Sequence, residues 1–391
     1  MENRVRFLMI ITGYPPLKSA GMEGACERLS RALAAKGHRV MVLTQGAPGL
    51  PPVKEEAPGL TVHRQLKPVA LGPLWGLTLM RQVQSWMKEN RNEFDFVFNH
   101  KMHLHAPASV PMARKLGKVS ANLVVNAGDF GDAVVLRGHK FGGLLLKSAL
   151  AADGEFYLSR ASRDELGRDG VVAGRLFPFH NMVDMARFSP GGDHTKNELL
   201  YLGRFHEQKN LPLLIRAFED LRKQTPDARL RMIGKGPEAN AMQGLIAASP
   251  AQDAIAVEGW TADPPAAMRR ARALVMSSRA EGLSNVLVES LACGTPVITT
   301  DVSGARDVLD PDNVAPTPIA AGKFFVGRGG IITPLGDKGS LTSAMGLMLE
   351  DEALRNRLAT EGRRCVEVVY SEEECVKEFL HGVAALMEKR T

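Results

Sequence analysis

The sequence predicts an α/β protein made of two doubly wound, Rossmann-like domains that face each other across a cleft. The chain has 391 residues, more than a single hydrophobic core usually organises. Strands alternate with helices on both sides of residue 190, which is typical of parallel sheets. A polar linker with Pro and Gly at 188–193 separates the two alternations. We therefore predict domains over 1–190 and 191–370.

The first half opens with a buried strand over 5–11, which Gly13, Pro15 and Pro16 end. A helix is predicted over 23–36, because Leu29, Leu33 and several alanines lie on one face. Later strands are predicted over 40–43, 94–98, 122–125 and 156–158.

The second half repeats the alternation. Strands are predicted over 199–203, 228–233, 254–258, 273–276 and 297–300, and helices over 211–223, 238–248, 266–271 and 285–293. The carboxyl ends of parallel strands are where ligands of such sheets usually bind.

Charge is divided unevenly along the chain. Residues 1–187 carry 25 Lys and Arg against 16 Asp and Glu, whereas residues 188–391 carry 24 against 27. A basic first half favours an anionic partner, either lipid headgroups or a phosphorylated acceptor, and ordinary solubilising charge is the alternative. Nucleic acid is disfavoured, because there are four tyrosines and no basic run interleaved with aromatic residues.

Composition also predicts the compartment. We find no apolar run of the roughly 18 residues that a membrane span requires, and the apolar run at 7–12 indicates a strand rather than a signal peptide. The four cysteines show no C-x-x-C spacing, so buried free thiols are favoured over disulfides. We expect a cytoplasmic protein that associates peripherally with the inner face of an anionic membrane.

Residues 278–296 carry the most informative pattern. Glu281 and Glu289 flank a turn that opens a short helix, which Gly294 and Pro296 end. A loop that enters a helix offers free backbone N–H groups and a positive dipole end, which suit a diphosphate. Ionised carboxylates accept hydrogen bonds from sugar or ribose hydroxyls. The alternative is two glutamates with unrelated structural roles.

Two further segments follow predicted strands. Arg204 and Lys209 lie after strand 199–203, where a guanidinium fork and an ammonium point charge are suited to a diphosphate. Gly234 and Gly236 follow strand 228–233, where a nucleotide often approaches the backbone. Each signal is weak alone, because loop cations and tight turns are common.

The pattern Glu281, seven residues, Glu289 lies within Glu-Gly-Leu-Ser-Asn-Val-Leu-Val-Glu-Ser-Leu-Ala-Cys-Gly-Thr-Pro. This run resembles the donor site of family 4 glycosyltransferases, which are retaining, metal-independent enzymes of the GT-B fold. The resemblance implies that a last helix, within 371–391, crosses back to the first domain. It also extends over nearly the whole chain.

The resemblance implies a set of site residues. Glu281 binds the sugar hydroxyls, Glu289 binds the ribose, and Arg204 and Lys209 hold the diphosphate. The remaining predicted donor contacts are Gly282, Leu283, Ser284 and Asn285 at the turn, Gly234, Gly236 and Trp260 near the nucleoside, and Gly21 beside the phosphates.

This chain departs from the family pattern in the first domain. The family commonly places a histidine after a strand ending in Thr-x-His, and here that place is held by Gly128. Asp129, as a catalytic residue, and Asn126, as a substrate contact, become the polar candidates. The histidines at 100, 103 and 105 stay open as further candidates.

Three metal-like patterns are interpreted as accidental. The triplet 129–131 mimics a kinase motif without its companions, the triplet 310–312 mimics Asp-x-Asp in the wrong place, and the three histidines lack a further ligand pair. We therefore predict no metal site and no cofactor.

The predicted function is a retaining, metal-independent glycosyltransferase. The donor is a nucleotide diphosphate sugar, with UDP-hexose or UDP-N-acetylhexosamine favoured. The acceptor is a glycan or a lipid-linked sugar in surface polysaccharide synthesis, and it is expected to bind the basic first domain. The alternatives are a GT-B epimerase and a non-catalytic protein that binds nucleotide sugars.

Overall fold

The computed structural model describes residues 4–16, 21–192, 195 and 197–389. The chain divides into two compact units. The first comprises Met1–Met182 together with Glu372–Thr391, and the second comprises Val183–Ser371.

The first unit alternates strands and helices in the order that the sequence suggests. Its strands are β1 (Arg6–Ile10), β2 (Arg39–Gln45), β3 (Val53–Ala57), β4 (Leu60–Leu66), β5 (Phe96–Asn99), β6 (Val119–Val124), β7 (Gly154–Tyr157) and β8 (Leu176–Pro178). Its helices are α1 (Gly21–Ala35), α2 (Pro73–Glu89), α3 (Ala106–Lys115), α4 (Asp132–Arg137), α5 (Gly142–Ala149), α6 (Arg160–Arg168) and the C-terminal helix (Glu372–Glu388).

The described strands of this unit form one sheet in the order β3-β4-β2-β1-β5-β6-β7-β8. All neighbours are parallel except β3, which pairs antiparallel with β4 at one edge. The chain moves outward from β1 in one direction and then, from β5 onward, in the other. The strand order therefore reverses between β1 and β5, which is where ligands of doubly wound sheets usually bind.

The C-terminal helix is part of the first unit's core. The ring of its buried Phe379 lies 4.9 Å from the ring of Phe98 and 5.2 Å from that of Phe156, on two strands of the sheet. A third ring, that of Phe7 on β1, lies 6.0 Å away. The helix thus covers the middle of the sheet with an aromatic cluster.

The second unit repeats the same kind of alternation. Its strands are β9 (Glu198–Leu202), β10 (Arg229–Ile233), β11 (Ile255–Glu258), β12 (Ala273–Met276), β13 (Val297–Thr300), β14 (Phe325–Val326) and β15 (Gly330–Thr333). Its helices are α7 (Leu211–Gln224), α8 (Ala239–Ala247), α9 (Pro264–Arg270), α10 (Asn285–Ala292), α11 (Ser303–Leu309), α12 (Lys338–Glu350) and α13 (Glu352–Val369).

The described strands of the second unit form a sheet in the order β11-β10-β9-β12-β13-β15-β14. The strands are parallel except β14, which pairs antiparallel with β15. Here the order reverses between β9 and β12. The loops that leave these two strands therefore meet at the usual ligand position of such a sheet.

The predicted α/β class with two doubly wound sheets is confirmed, whereas strands β3, β4, β8, β14 and β15 and helices α2–α6 and α11–α13 were not predicted. The hairpin β3–β4 was not predicted, because β3 is largely exposed and polar and lacks a hydrophobic pattern. The short strand β14 has only two residues, too few to show a hydrophobic pattern. No helix among the described residues combines the length and the hydropathy that a membrane span needs.

Candidate active site

An ion pair joins the two loops at the strand-order reversal of the second unit. The Lys209 ammonium donates to the Glu281 carboxylate, and the Ser278 hydroxyl donates to the same oxygen, Oε1, at 2.8 Å. Lys209 lies in the loop after β9, and Glu281 lies in the loop after β12. Both side chains are mostly buried, so their mutual attraction is less screened than at an open surface.

Further hydrogen bonds hold these loops together. The Gln208 side chain donates to the carbonyl of Ala280 at 2.7 Å, and the Gln208 carbonyl accepts the Arg279 N–H at 2.8 Å. The Ser277 hydroxyl donates to the carbonyl of Lys209 at 2.8 Å. The ion pair is thus carried by a backbone that is fixed on both sides, as a pre-organised binding site requires.

The predicted donor turn runs from Gly282 to Ser284, and α10 begins at Asn285. The start of α11 supports this turn, because the Ser303 hydroxyl donates to the Glu281 carbonyl at 2.7 Å. A β-carbon on Gly304 would lie 1.6 Å from the Gly282 carbonyl oxygen, so a side chain at 304 would displace the turn.

The N-terminus of α10 follows directly on the donor turn. Its N-cap residue, Ser284, makes no side-chain capping hydrogen bond. Leu283 is buried under the turn, and Glu289 is half-buried one turn further along the helix, on the face of Asn285. Amide groups at a helix start attract anions through their N–H groups and the helix dipole.

The loops after β9 and β10 approach each other closely. A β-carbon on Gly234 would lie 1.9 Å from the Gly203 carbonyl oxygen, and one on Gly236 would lie 2.0 Å from that of Phe205. These glycines therefore support the loop that carries Arg204, whose own side chain is exposed. Trp260, after β11, is 68% exposed.

The Arg204 carbonyl accepts a hydrogen bond from the Tyr201 hydroxyl at 2.9 Å. Burial, with a contribution from the Glu281 carboxylate, raises the pKa of this tyrosine, so it stays a neutral donor. Tyr201 thus fixes the backbone at the point where the cationic loop begins.

A cavity of about 350 Å³ adjoins the ion pair. It is lined by Asn210, Ser278, Arg279, Leu335 and Gly336, which follow β9, β12 and β15. Sequence reasoning missed Ser278, Gln208 and this cavity. The pair Ser277-Ser278 at the end of an apolar strand was the available signal.

In the first unit, the predicted acceptor-side residues lie after β6. Asp129 is exposed on a short 3₁₀ turn, whereas Asn126 is half-buried. The buried carboxylate at this place is Asp132, which sequence reasoning missed. Its Oδ2 accepts the Val125 N–H at 2.8 Å, and its Oδ1 lies 3.9 Å from the Lys101 ammonium.

Burial raises the pKa of Asp132 to about 6, and the Lys101 charge acts in the opposite direction. The Asn126 amide lies 3.5 Å from its Oδ1, and the Asn126 carbonyl accepts the Asp132 N–H at 3.2 Å. Asp132 thereby holds the loop in which Asn126 and Asp129 are found. Gly128, at the place of the family histidine, has a φ of 72° and donates its N–H to Glu165 at 2.9 Å.

The three histidines lie in and after the loop that leaves β5. Burial lowers the pKa of His100 and His105 to about 3 and that of His103 to about 4, so all three are neutral at pH 7. Neither ring nitrogen of His100 has a hydrogen-bond partner among the residues described. Within the described ranges, no group of three or more His, Cys, Asp or Glu side chains is arranged to hold a metal ion.

Gly21 is the first residue of α1 and is exposed. The two preceding residues, Ser19 and Ala20, lie outside the described residues. The functional roles of these residues stay predictions.

Comparison with known proteins identifies the family. Residues 183–364 match the family model of glycosyl transferases group 1, and residues 19–187 match that of glycosyltransferase family 4. Together the two models match most of the chain. The protein belongs to the family 4, or group 1, glycosyltransferases, as the donor motif predicted.

Individual relatives agree with this assignment. An uncharacterized glycosyltransferase of Methanocaldococcus jannaschii is 29% identical over 195 residues, 46% of this chain and 47% of that protein. A second relative, from Campylobacter jejuni, is N-acetylgalactosamine-N,N'-diacetylbacillosaminyl-diphospho-undecaprenol 4-alpha-N-acetylgalactosaminyltransferase. It is 30% identical over 158 residues, 40% of this chain and 38% of that protein. The matched stretches thus span about half of these relatives or less.

Among solved structures, sucrose-phosphate synthase from Thermosynechococcus elongatus superimposes with a TM-score of 0.81 at 20% identity. The alignment covers 99% of this chain and 100% of that one. This likeness confirms the predicted GT-B fold class.

Proposed function

We propose that this protein is a glycosyltransferase that moves a sugar, with retention of configuration, from a UDP-hexose or UDP-N-acetylhexosamine to a glycan or lipid-linked acceptor. The observation that carries the proposal is the pairing of Lys209 with Glu281 where the strand order reverses. A cation, a carboxylate and the start of α10 lie together there, and a diphosphate sugar needs all three. Membership in the family supplies the reaction class.

The proposed chemistry assigns a different task to each group. Lys209, Arg204 and the amides from Gly282 to Asn285 neutralise the diphosphate as it departs. Glu281 accepts hydrogen bonds from the sugar, which compete with its bond to Lys209 and leave the ammonium available to the phosphates. Glu289 accepts hydrogen bonds from the ribose hydroxyls.

Charge stabilisation by these groups makes a metal ion unnecessary for the proposed reaction. The family resemblance implies an oxocarbenium-like transition state in which the leaving phosphate helps to take the acceptor's proton. The acceptor then attacks the face from which the nucleotide leaves, which retains the anomeric configuration.

The acceptor is proposed to be lipid-linked. The relative from Campylobacter jejuni acts, by its name, on a diphospho-undecaprenol sugar and transfers N-acetylgalactosamine. The excess of Lys and Arg in the first half suits an acceptor that carries phosphate at an anionic membrane surface.

The test is a donor panel. Purified protein is incubated with UDP-N-acetylglucosamine, UDP-N-acetylgalactosamine, UDP-glucose and GDP-mannose, and free nucleotide is measured with and without EDTA. We expect slow UDP release without acceptor, faster release with a polyprenyl-diphosphate sugar, and no effect of EDTA. Product anomeric configuration is read by NMR.

Other outcomes would identify the alternatives. UDP that binds without any release of nucleotide from UDP-sugars indicates a binding protein. Conversion of one UDP-sugar to another without nucleotide release indicates an epimerase. Loss of release on chelation would contradict the metal-independent reaction.

A further inference from the structure

Exposed apolar side chains are concentrated in the first unit. Among the described residues, most of its exposed large apolar side chains fall in two segments, 69–77 and 130–144. Phe141 is 73% exposed, Leu144 is 69% exposed and Leu71 is 65% exposed. In the second unit the exposed apolar residues are scattered singly, which is ordinary for a protein surface.

Both segments lie at the start of helices that pack on the same face of the sheet. The inner residues of α2, α4 and α5 belong to one hydrophobic cluster, which includes Leu79, Leu136 and Leu146. These helices therefore cover the same side of the sheet. We call their exposed apolar residues the apolar rim: Leu71, Leu74, Leu77, Phe130, Val134, Val135, Phe141 and Leu144.

The apolar rim projects away from the protein core. On α5, Gly142, Leu146 and Ala149 are buried, and Leu144 and Lys147 lie on the opposite side of the helix. On α4, Ala133 and Leu136 are buried, while Val134 and Val135 face outward. Both helices therefore carry apolar residues on the outer side as well as on the core side, and those outer residues are exposed.

Cations outnumber carboxylates in the stretch of sequence that carries the rim. Residues 57–152 contain 12 Lys and Arg but only five Asp and Glu. Of those five, Glu89, Glu93 and Asp95 precede β5 at the amino edge of the sheet and Asp132 is buried, which leaves Asp129, exposed next to Phe130. Lys140 lies next to Phe141, with its ammonium 5.6 Å from the ring centre, and Lys147 follows Leu144 by one turn.

We propose that the apolar rim and its cations form a docking surface for an anionic lipid bilayer. Aromatic and aliphatic side chains would enter the headgroup boundary, and lysines beside them would meet lipid phosphates. The excess of Lys and Arg favours an anionic bilayer over a second copy of the chain, because two such basic surfaces repel each other. The proposal rests on the proposed function for its biological sense, since it brings the protein to a lipid-linked acceptor.

The experiment is co-sedimentation of the full-length protein with vesicles of phosphatidylcholine, with and without phosphatidylglycerol, at low and raised salt. We expect binding that requires phosphatidylglycerol and weakens with salt. The double variant Phe141→Ser/Leu144→Ser should lower the partition coefficient about tenfold or more, because two apolar anchors are lost. Lys140→Glu/Lys147→Glu should lower it by about 25-fold, at about fivefold for each cation.

Matched controls lie at the other edge of the same sheet. Lys36 and Lys115 are exposed after α1 and at the end of α3, so Lys36→Glu/Lys115→Glu makes the same change in net charge away from the rim. Val172 is 63% exposed before β8 and supplies the apolar control Val172→Ser. We expect both controls to bind like the unmodified chain.

Several results would overturn the proposal. The proposal fails if the wild-type protein does not co-sediment with the vesicles. It also fails if the rim variants bind as well as the controls, because this surface then does not dock on lipid. A dimer in light scattering that the Phe141→Ser/Leu144→Ser variant abolishes would assign the rim to a second copy. UDP release from UDP-sugars without vesicles reports separately on the proposed function, so the two can fail independently.

Discussion

The carboxyl edges of the two sheets differ in how their polar side chains are satisfied. In the second unit, Lys209 and Glu281 pair with each other, and Ser278 donates to the same carboxylate. In the first unit, His100 and His105 are buried and neutral at pH 7, because burial lowers the pKa of each to about 3. Both edges lie where the strand order reverses, so topology alone does not explain the difference.

The comparison shows that the hydrogen-bonded ion pair lies at the edge of the second unit, whereas Lys101 and Asp132 in the first unit lie 3.9 Å apart. A fixed ion pair beside a helix start is suited to a diphosphate, whose charge changes during transfer. Neutral imidazoles and a buried carboxyl are suited to positioning rather than to holding phosphate. This division agrees with a donor in the second unit and an acceptor in the first, and the following variants test it.

The largest effect is expected for Lys209→Ala. Removing a cation from the leaving diphosphate should lower the rate of UDP-sugar turnover by about 100- to 1000-fold. Steady-state nucleotide release measures this rate. Lys223→Ala removes an exposed lysine from the far end of α7 and should leave turnover unchanged. Wild-type turnover in Lys209→Ala would make the ion pair a structural contact only.

The variant Asp132→Asn tests whether the buried carboxyl at the edge of the first unit makes the stability of the protein depend on pH. The folded-state pKa of Asp132, about 6, lies above the unfolded value of 3.8, so its contribution to stability is full below 3.8 and is lost as pH rises to about 6. Across that window, the free energy of unfolding of the wild type should fall relative to the variant by up to about 3 kcal/mol. Denaturant titrations at a series of pH values measure the difference. The exposed neighbour offers the control Asp129→Asn, which also removes one carboxylate from this loop.

Gly304→Ala tests the support of the donor turn. A β-carbon there would meet the Gly282 carbonyl, so the variant should lose about 1–3 kcal/mol of unfolding free energy and bind UDP more weakly. Gly244 lies within α8 with open space around it, and Gly244→Ala should gain up to about 1 kcal/mol. Equal stability of the two variants would mean that the turn accommodates a side chain.

Trp260→Ala should have the smallest effect. The indole is largely exposed, so the free energy of unfolding should change by less than about 0.5 kcal/mol. If the base stacks near this residue, UDP affinity should fall about fivefold by calorimetric titration. Val314→Ala, at another exposed apolar residue of the same unit, provides the control. Unchanged affinity would remove Trp260 from the proposed nucleoside site.

The donor segment could be predicted from the sequence because the residues that shape it are close together in the chain. Glu281 precedes the turn, Glu289 lies within the short helix that follows, and Gly294 and Pro296 end that helix. The order of residues in the sequence therefore already describes the geometry. Gln208 escaped notice because its partners, Ala280 and Arg279, lie in another loop. The two loops are brought together only when β9 and β12 pair.

The acceptor-side residues depend on burial, which the sequence does not display. Asp129 and Asp132 stand three residues apart and look equivalent as letters, yet the first is exposed and the second is buried under the Val125 N–H. The same holds for the apolar rim, since a leucine that faces solvent and one in the core are written alike. The hydrophobic periodicity identifies the two sides of a helix, but it does not show whether another element packs on the outer side.

By itself, the sequence determined the α/β class, the double alternation of strands and helices, and the family through its Glu-x7-Glu donor motif, because hydrophobic period and turn residues act over short distances. Only the tertiary structure decided which loops meet at the strand-order reversals, that Asp132 rather than Asp129 is buried, and that Phe141 and Leu144 face outward. Those outcomes depend on contacts between residues far apart in the chain, where packing and desolvation determine each side chain's surroundings.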